Sequence, residues 1–137
     1  MKIENELFIE ALTYVESELY FDAINSFKII CKNFEKSNLV DDCYLNVGIC
    51  YMKLNLFDKA IENFNIVINE YPDSKLTSIS SNIEEGFSSA KAYYGIILCK
   101  KSLGIESNEE SLKLKDYDNN TYVILNNKKT SFSKLLV

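Results

Sequence analysis

Few side chains in this sequence have the types and spacing that catalysis requires. The chain of 137 residues contains no histidine, so a Ser-His or Cys-His nucleophile pair and an imidazole base are both excluded. It also contains no arginine, which removes the planar side chain that grips phosphates and carboxylates with two hydrogen bonds. Because most common active-site designs need one of these residues, we expect that the protein is not an enzyme.

The remaining nucleophilic and metal-binding patterns are weak. Ser88-x-x-Lys91 and Ser131-x-x-Lys134 have the spacing of a Ser-Lys nucleophile pair, but both lack the companion motifs. The four cysteines contain no Cys-x-x-Cys, and no histidine is present to complete a tetrahedral metal site. These cysteines are Cys31, Cys43, Cys50 and Cys99. We interpret them as buried structural thiols and predict neither a metal nor another cofactor.

The charge pattern argues against nucleic acid as a partner. The formal net charge is −5, and the 15 basic residues cluster only at Lys100-Lys101 and Lys128-Lys129. No apolar stretch approaches the roughly 20 residues that cross a bilayer, and the acidic N-terminus does not resemble a secretion signal. We therefore expect a cytoplasmic protein whose partner is a neutral or basic protein.

A helical pattern occurs between Asp41 and Ser74. Glycine and proline are scarce, with 4 and 1 residues, so long stretches can remain helical. One apolar stripe is followed by a break near Asn55 and by a second stripe that ends at Pro72. The first stripe consists of Tyr44, Val47, Gly48 and Tyr51. The second consists of Phe57, Ala60, Ile61, Phe64, Val67 and Ile68. This spacing predicts a pair of amphipathic helices.

The segment resembles a tetratricopeptide repeat, a family whose pattern fixes aromatic, small and proline positions on two helices. The matching residues are Tyr44, Val47, Gly48, Tyr51, Ala60, Phe64 and Pro72. An upstream copy with the same Tyr-Ala-Phe spacing consists of Leu7, Ala11, Tyr14, Ala23 and Phe27. Glu10 and Glu35 depart from the pattern, where a large apolar residue and the closing proline would stand. We place the two repeats at about residues 4–37 and 41–74.

The resemblance implies an all-α fold. The expected architecture is a short right-handed α-solenoid of antiparallel helix pairs over residues 1–118. After the second repeat, three- and four-residue apolar steps predict one long helix from about Ser74 to Ser102, with Gly86 as a candidate kink. In the first repeat, Ser37 is a candidate N-cap for a helix that starts near Asn38.

The end of the chain departs from the repeat pattern. Ser107 and Glu110 predict a capping box for a short helix through about Asp116, and we interpret this third unit as a divergent cap. Residues 119–137 form a separate tail, in which Tyr122–Leu125 has the composition of a strand and the following Asn-Asn-Lys-Lys suits a turn. The tail is predicted to form a small hairpin or a strand that docks on a partner.

The resemblance also implies a binding groove, because the first helices of such repeats line a concave surface. The implied groove residues are Phe8, Leu12, Val15, Leu45, Asn46, Ile49, Met52 and Lys53. The apolar members suit an extended or helical peptide, with Asn46 and Lys53 orienting its backbone. Two alternatives stay open. The apolar stripe could be covered by the chain itself, and Asn46 could be a solvated surface residue.

These features give two functional hypotheses. The first is an adaptor or chaperone-like module that binds a peptide segment of another protein in the groove. The family's carboxylate clamp for chaperone tails is not expected, because the matching first-repeat positions are Phe8 and Leu12 rather than basic residues. The alternative is a structural subunit that self-associates into homo-oligomers through the divergent third unit and the tail.

Overall fold

The computed structural model describes residues 3–77 and 83–136. Within these ranges the chain forms six α-helices, three short strands and a terminal 3-10 helix. The helices are α1 (Glu4–Glu16), α2 (Tyr20–Asn33), α3 (Val40–Lys53), α4 (Phe57–Glu70), α5 (Ser88–Leu103) and α6 (Asn108–Lys115). The strands are β1 (Glu84–Glu85), β2 (Tyr122–Leu125) and β3 (Lys128–Ser131), and the 3-10 helix is Phe132–Leu136.

The helices pack consecutively in pairs. Each of α1 to α6 contacts the next helix along the chain, and α3 also contacts α5 across the intervening α4. The connections within the pairs are short, which makes paired helices run antiparallel. This arrangement confirms the predicted all-α, solenoid-like fold of helix pairs, followed by a small tail that contains strands.

The first two helix pairs use the same turn. Glu18 and Asn55 both adopt left-handed backbone conformations, with φ of 60° and 62°. In each turn a backbone amide reaches back to a tyrosine carbonyl: Leu19 N to Tyr14 O and Leu56 N to Tyr51 O, both at 2.9 Å. Such a bond ends a helix by satisfying a carbonyl that would otherwise lack a partner. The predicted break near Asn55 is thus confirmed, and α1–α2 has an equivalent turn.

Phe64 of α4 connects the second helix pair to the third. Its side chain is fully buried, and its ring lies against two glycines, Gly48 of α3 and Gly95 of α5. A Cβ atom added at Gly48 would stand 2.7 Å from the ring, and one added at Gly95 would stand 2.5 Å from it. Because the ring is in close contact on both sides, each glycine permits the approach of a helix that a side chain would prevent.

The tail forms a hairpin, which is one of the two arrangements predicted from its composition. β2 and β3 pair antiparallel through the two-residue turn Asn126-Asn127, whose φ values are 50° and 62°. Asparagine tolerates this left-handed conformation, which two-residue hairpins require. β2 also pairs antiparallel with β1, which lies just before α5 and gives the strand order β1-β2-β3.

A second apolar cluster holds the tail against α5 and α6. Its buried residues are Ala90, Ile97, Leu114 and Phe132. Tyr94 lies beside Phe132 with ring centroids 5.4 Å apart. The other side of α5 contributes Ala92, Ile96 and Cys99 to the main core. α5 is therefore apolar on two faces, because it packs against the repeats on one side and against the tail on the other.

The prediction of one long helix from Ser74 to Ser102 is wrong. α5 begins only at Ser88, and the residues before it are extended, with Glu84 and Glu85 in β1. Leu76 N donates to Gly86 O at 2.8 Å and Ser88 N donates to Ser74 O at 3.0 Å, so the chain returns on itself. The part of the prediction at 78–82 lies outside the described residues. The three- and four-residue spacing of the apolar residues did not predict this strand, because the strand forms by pairing with β2, which is distant in sequence.

Gly86 also has a different role from the predicted kink. Its φ of 120° is a conformation that residues with side chains rarely adopt. A Cβ atom at this position would collide with the Thr121 side chain and with the Asn120 carbonyl oxygen. The next residue, Phe87, donates its backbone N–H to Thr121 Oγ1 at 2.9 Å. Gly86 therefore allows the start of α5 to approach the loop that leads into β2.

Two predicted helix caps also differ from the structure. Ser107 makes no side-chain bond to α6, and Glu110 instead pairs with Lys100 of α5 at 2.9 Å. The Ser37 hydroxyl accepts a bond from Leu39 N at 3.1 Å, but α3 starts at Val40 rather than near Asn38. In the first case an ion pair between helices replaces the local capping bond.

The contact between Phe64 and Gly48 can be tested by adding one methyl group. The Gly48→Ala variant should lose about 1 to 3 kcal/mol of unfolding free energy, because the confined ring cannot move away without strain. Urea unfolding followed by circular dichroism measures this loss. Combining Gly48→Ala with Phe64→Leu should cost less than the sum of the two single changes, since the smaller side chain leaves room for the methyl group. Strict additivity would contradict the contact.

The left-handed conformation of Glu18 can be tested by substitution with glycine. A residue with a Cβ atom pays about 1 to 2 kcal/mol there, so the Glu18→Gly variant should gain about 0.5 to 1 kcal/mol of stability after the entropy cost of glycine. Glu16→Gly removes the same charge inside α1 and should lose about 1 kcal/mol. Thermal unfolding of both variants measures the difference, and equal effects would contradict the assigned turn.

Candidate functional site

The first helices of the two repeats carry a row of half-buried apolar side chains. Leu12 and Val15 lie on α1, and Ile49 and Met52 lie on α3; all four pack against the main core while retaining some exposure. Lys53, at the last position of α3, is exposed. We call these five residues the groove row; they are the residues predicted for the groove that retain some exposure.

Two of the apolar residues predicted for the groove lie in the core instead. Phe8 has 0% and Leu45 has 1% of its surface exposed. Phe8 packs edge-on against Phe27 of α2, with ring centroids 5.4 Å apart. Neither side chain can touch a ligand in this arrangement, because close helix packing covers it.

Asn46 is also buried, with 8% of its surface exposed. Its side-chain amide donates to the backbone oxygen of Asp42, one turn earlier in α3, at 2.8 Å. An asparagine that faces a ligand would present its amide to that ligand, whereas this amide is engaged within its own helix. The structure therefore does not place Asn46 with the groove row.

The burial of two acids at the start of α3, Asp41 and Asp42, was not predicted from the sequence. We call them the acidic cluster. Asp41 and Asp42 are both buried, beside Ser88 and Ser89 at the start of α5. The Ser88 hydroxyl donates to Asp41 Oδ2 at 2.7 Å. Burial raises the pKa of the Asp41 carboxyl, and the bond from Ser88 opposes that rise. Acids in the first turn of a helix are common in sequences, so their burial could not be predicted.

Asp42 is the more perturbed of the two acids. It is 1% exposed, and neither carboxylate oxygen makes a hydrogen bond of ordinary geometry to a residue in the described ranges. Burial, followed by the charge of Asp41, raises the pKa of Asp42 to about 8. The Lys91 ammonium and the Thr77 backbone oppose this rise, while Glu84 adds to it. The Asp42 carboxyl is therefore mostly protonated at neutral pH.

Charged side chains from β1 and α5 act on the acidic cluster. Lys91 and Glu84 form an ion pair at 2.8 Å, with both side chains largely buried. Across residues 3–77 and 83–136, no group of three or more cysteines and acids is arranged to hold a metal ion. The cluster thus contributes buried charge at one end of α3, and the exposed part of the groove row lies toward the other end, at Met52 and Lys53.

Two open clefts lie away from the groove row. One of about 540 Å³ is lined by Glu4 and by residues 32–37. Another of about 370 Å³ lies beside Asp41, Tyr71 and Leu76, where the chain leaves α4. Neither cleft contains a residue predicted for the groove.

In the ranges that the structure describes, no helix is both long and apolar enough to cross a membrane.

The helix pairs, the repeated turns and the first helices with their half-buried row define a class of protein, a solenoid of helical hairpins like that of tetratricopeptide repeats. The model of one family, described as the tetratricopeptide repeat, matches residues 42–74. These residues comprise nearly all of α3 and the whole of α4, so the chain contains a tetratricopeptide repeat and the prediction for this segment is confirmed. The match does not include α1 and α2, although they form an equivalent hairpin.

Comparisons with curated proteins and with solved structures give no match. The repeat is typical of modules that mediate protein–protein interaction and that are not themselves catalytic. It therefore suggests a protein–protein interaction module.

The buried Asp42 predicts an unusual dependence of stability on pH. Below pH about 4 the carboxyl is protonated in both the folded and the unfolded protein and contributes no difference. Between pH about 4 and its folded pKa of about 8, the folded protein keeps a proton that the unfolded chain releases, so stability falls as pH rises. At pH 8 to 9 the Asp42→Asn variant should be about 1 to 3 kcal/mol more stable than the wild type.

Urea unfolding at a series of pH values measures this effect. The advantage of Asp42→Asn should shrink as the pH falls toward 4, because both proteins then hold a neutral side chain. Asp73→Asn removes an exposed carboxylate and should show no such dependence. A constant difference between Asp42→Asn and wild type over the whole range would contradict the raised pKa.

Proposed function

We propose that this protein is an adaptor or chaperone-like module that binds a peptide segment of another protein along the groove row. The observation that carries the proposal is the position of Leu12, Val15, Ile49 and Met52, which are half-buried on the first helices of both repeats. Apolar side chains fixed at their base and exposed at their tip suit the side chains of an extended or helical peptide.

The mechanism is rigid presentation of these side chains. Helices α1 and α3 are held by buried side chains on their opposite faces, so little conformational entropy is lost when a peptide binds. Lys53, exposed at the end of the row, can donate to a backbone carbonyl of the peptide.

Charge favours a neutral or basic partner. The chain has a net charge of −5, and α1 carries four glutamates and no lysine: Glu4, Glu6, Glu10 and Glu16. A negative potential beside the groove row accelerates the approach of a basic segment and disfavours an acidic one. A cytoplasmic location is part of the proposal, based on the free cysteines.

A second candidate is a structural subunit that self-associates through the third helix pair and the tail. It is favoured by apolar side chains near the turn between α5 and α6. Leu103, Ile105 and Leu112 are 39%, 51% and 66% exposed. Contact between copies of the chain would cover these side chains, since exposed apolar residues in proximity often mark an interface.

The groove row can be tested by affinity capture from the lysate of the native organism. An Ile49→Glu/Met52→Lys variant should lose at least about tenfold in partner binding, because each apolar anchor contributes about 1 to 2 kcal/mol. The variant must first match the wild-type circular dichroism spectrum and melting temperature. Leu112→Lys, a change of similar character on α6, is the matched control and should retain the partner.

The same variants separate the two candidate functions. If the structural-subunit hypothesis is correct, the wild type should be oligomeric by light scattering and Leu112→Lys should dissociate it. If Ile49→Glu/Met52→Lys retains its partner while Leu112→Lys loses it, the groove proposal is wrong and the α5–α6 surface carries the interaction.

A further inference from the structure

Three helices meet around one tyrosine at a small pocket. Tyr51, near the end of α3, is 8% exposed, and its side chain lines a pocket of about 240 Å³. Lys28 of α2 and Lys59 of α4 line the same pocket, and both residues are exposed. The remaining lining residues belong to α4 and are Glu62, Asn63 and Ile66. The pocket is separate from the groove row, since the two share no residue.

Two ammonium groups converge on the Tyr51 ring. The Nζ atoms of Lys28 and Lys59 lie 5.5 Å and 5.7 Å from the centroid of this ring. At such distances each cation is attracted by the π electrons of the ring. Neither lysine takes part in the ion pairs that the described residues form. Their charges are therefore available to an anion that enters the pocket.

The Tyr51 hydroxyl provides a third hydrogen-bond donor. Lys28 Nζ donates to the hydroxyl oxygen at 3.0 Å. Because an ammonium group can only donate, the phenol oxygen accepts this bond and keeps its own proton for a second bond. Among the residues that the structure describes, Lys28 is the one hydrogen-bond partner of this hydroxyl. Donors from α2, α3 and α4 thus surround the same space.

The pocket does not include a thiol. Cys31 follows Lys28 by three residues on α2, but it is not among the lining residues. The expectation that all four cysteines are buried is wrong for Cys31, which is only partly buried because it lies at the edge of the main core. The chemistry of the pocket is therefore that of its hydrogen-bond donors.

This set of donors fits a phosphoryl group. A phosphorylated side chain carries a charge of about −1.5 to −2 at neutral pH and three oxygens that accept strong hydrogen bonds. Two ammonium groups match that charge, and the tyrosine hydroxyl can donate to the third oxygen. A carboxylate has one charge and would leave one ammonium group without a counterion. The pocket also suits a small group, because drug-sized ligands occupy about 300 to 1,000 Å³.

The first repeat lacks the second lysine. Tyr14 is the equivalent of Tyr51, since both tyrosines accept the backbone bond of the repeated turn. The third residue of α4 is Lys59, whereas the third residue of α2 is Asp22. The packing of a helix pair therefore does not require a lysine at this position, which supports a role for Lys59 in binding.

We propose that Lys28, Lys59 and Tyr51 form a binding site for a phosphoryl group, which is supplied either by inorganic phosphate or by a phosphorylated side chain of another protein. Glu62 lines the same pocket, and its negative charge weakens the binding of an anion. The site goes beyond the proposed function, because it lies outside the groove row and does not require that a peptide binds there.

The experiment is an NMR titration of the full chain, labelled with ¹⁵N, with inorganic phosphate. The backbone amide signals of Lys28, Tyr51 and Lys59 should shift along a saturable curve. Sodium chloride at the same ionic strength should not produce this curve, because screening alone has no saturable site.

The two lysines are tested together, with a matched control. Lys28→Gln/Lys59→Gln should weaken phosphate binding at least about tenfold, because both charge-assisted hydrogen bonds are lost. Lys32→Gln/Lys36→Gln removes the same charge from exposed residues outside the pocket. This control should bind phosphate within about twofold of the wild type, since distant exposed charges are screened. Circular dichroism verifies the fold of each variant.

Two single changes test the pocket in opposite directions. Tyr51→Phe retains the ring and removes the hydroxyl, so phosphate binding should weaken about threefold or more. Glu62→Gln removes the competing charge, so binding should tighten about twofold or more. A gain in binding cannot result from unfolding, and Glu62→Gln therefore decides the question even if a lysine variant fails to fold.

Two small compounds identify the source of the phosphoryl group. N-acetyl-O-phosphoserine amide represents a phosphorylated side chain, and N-acetylglutamate amide represents a carboxylate. If the phosphoserine compound binds at least as tightly as inorganic phosphate, the site is assigned to a phosphorylated protein. Weaker binding of this compound assigns the site to free phosphate.

The proposal is overturned if the shifts caused by phosphate do not saturate, or if they are undiminished in Lys28→Gln/Lys59→Gln. It is also overturned if the glutamate compound binds as tightly as the phosphoserine compound. Ile49→Glu/Met52→Lys should bind phosphate as the wild type does, so a failure of the groove proposal is distinguished from a failure of this one.

Discussion

The packing of Phe64 between Gly48 and Gly95 is the contact on which the stacking of the helix pairs depends. One aromatic ring from α4 fills the space between α3 and α5, and the absence of a side chain at both glycines brings these helices close to it. A solenoid of this kind buries its apolar surface only between neighbouring units, since no single pair can cover its own faces. The ring therefore joins the tetratricopeptide repeat at residues 42–74 to the atypical third pair.

The third pair is completed by segments that are distant in sequence. α5 has one face in the main core and another in the cluster with Leu114 and Phe132. The strands β1 and β2 join the residues before α5 to the tail, and Gly86 makes room for Thr121 at that junction. The tail thus covers the apolar surface of α5 that a further repeat would cover in a longer array.

Burial divides the residues of α3 into two groups. At the start of α3, Asp41 and Asp42 are enclosed beside Ser88, and this buried charge costs stability as the pH rises. Toward the end of α3, Ile49 and Met52 retain exposure, as Leu12 and Val15 do on α1. A binding module needs apolar side chains that are partly exposed on a rigid helix. The proposed function rests on the side chains of the groove row that meet this condition.

The sequence alone determined the repeat, because its signal is local: Ala60, Phe64 and the turn at Asn55 recur at spacings that one helix pair imposes on itself. The signal for the turn at Asn126-Asn127 was equally local, since turn residues act over a few positions. The exposure of the apolar residues was decided only by the tertiary structure. Phe8, Leu45 and Leu12 all lie at helical spacing in the sequence, and they differ in how far neighbouring residues cover them. The tertiary structure also decided that Glu84 and Glu85 form a strand before α5, since that strand depends on a partner from another part of the chain.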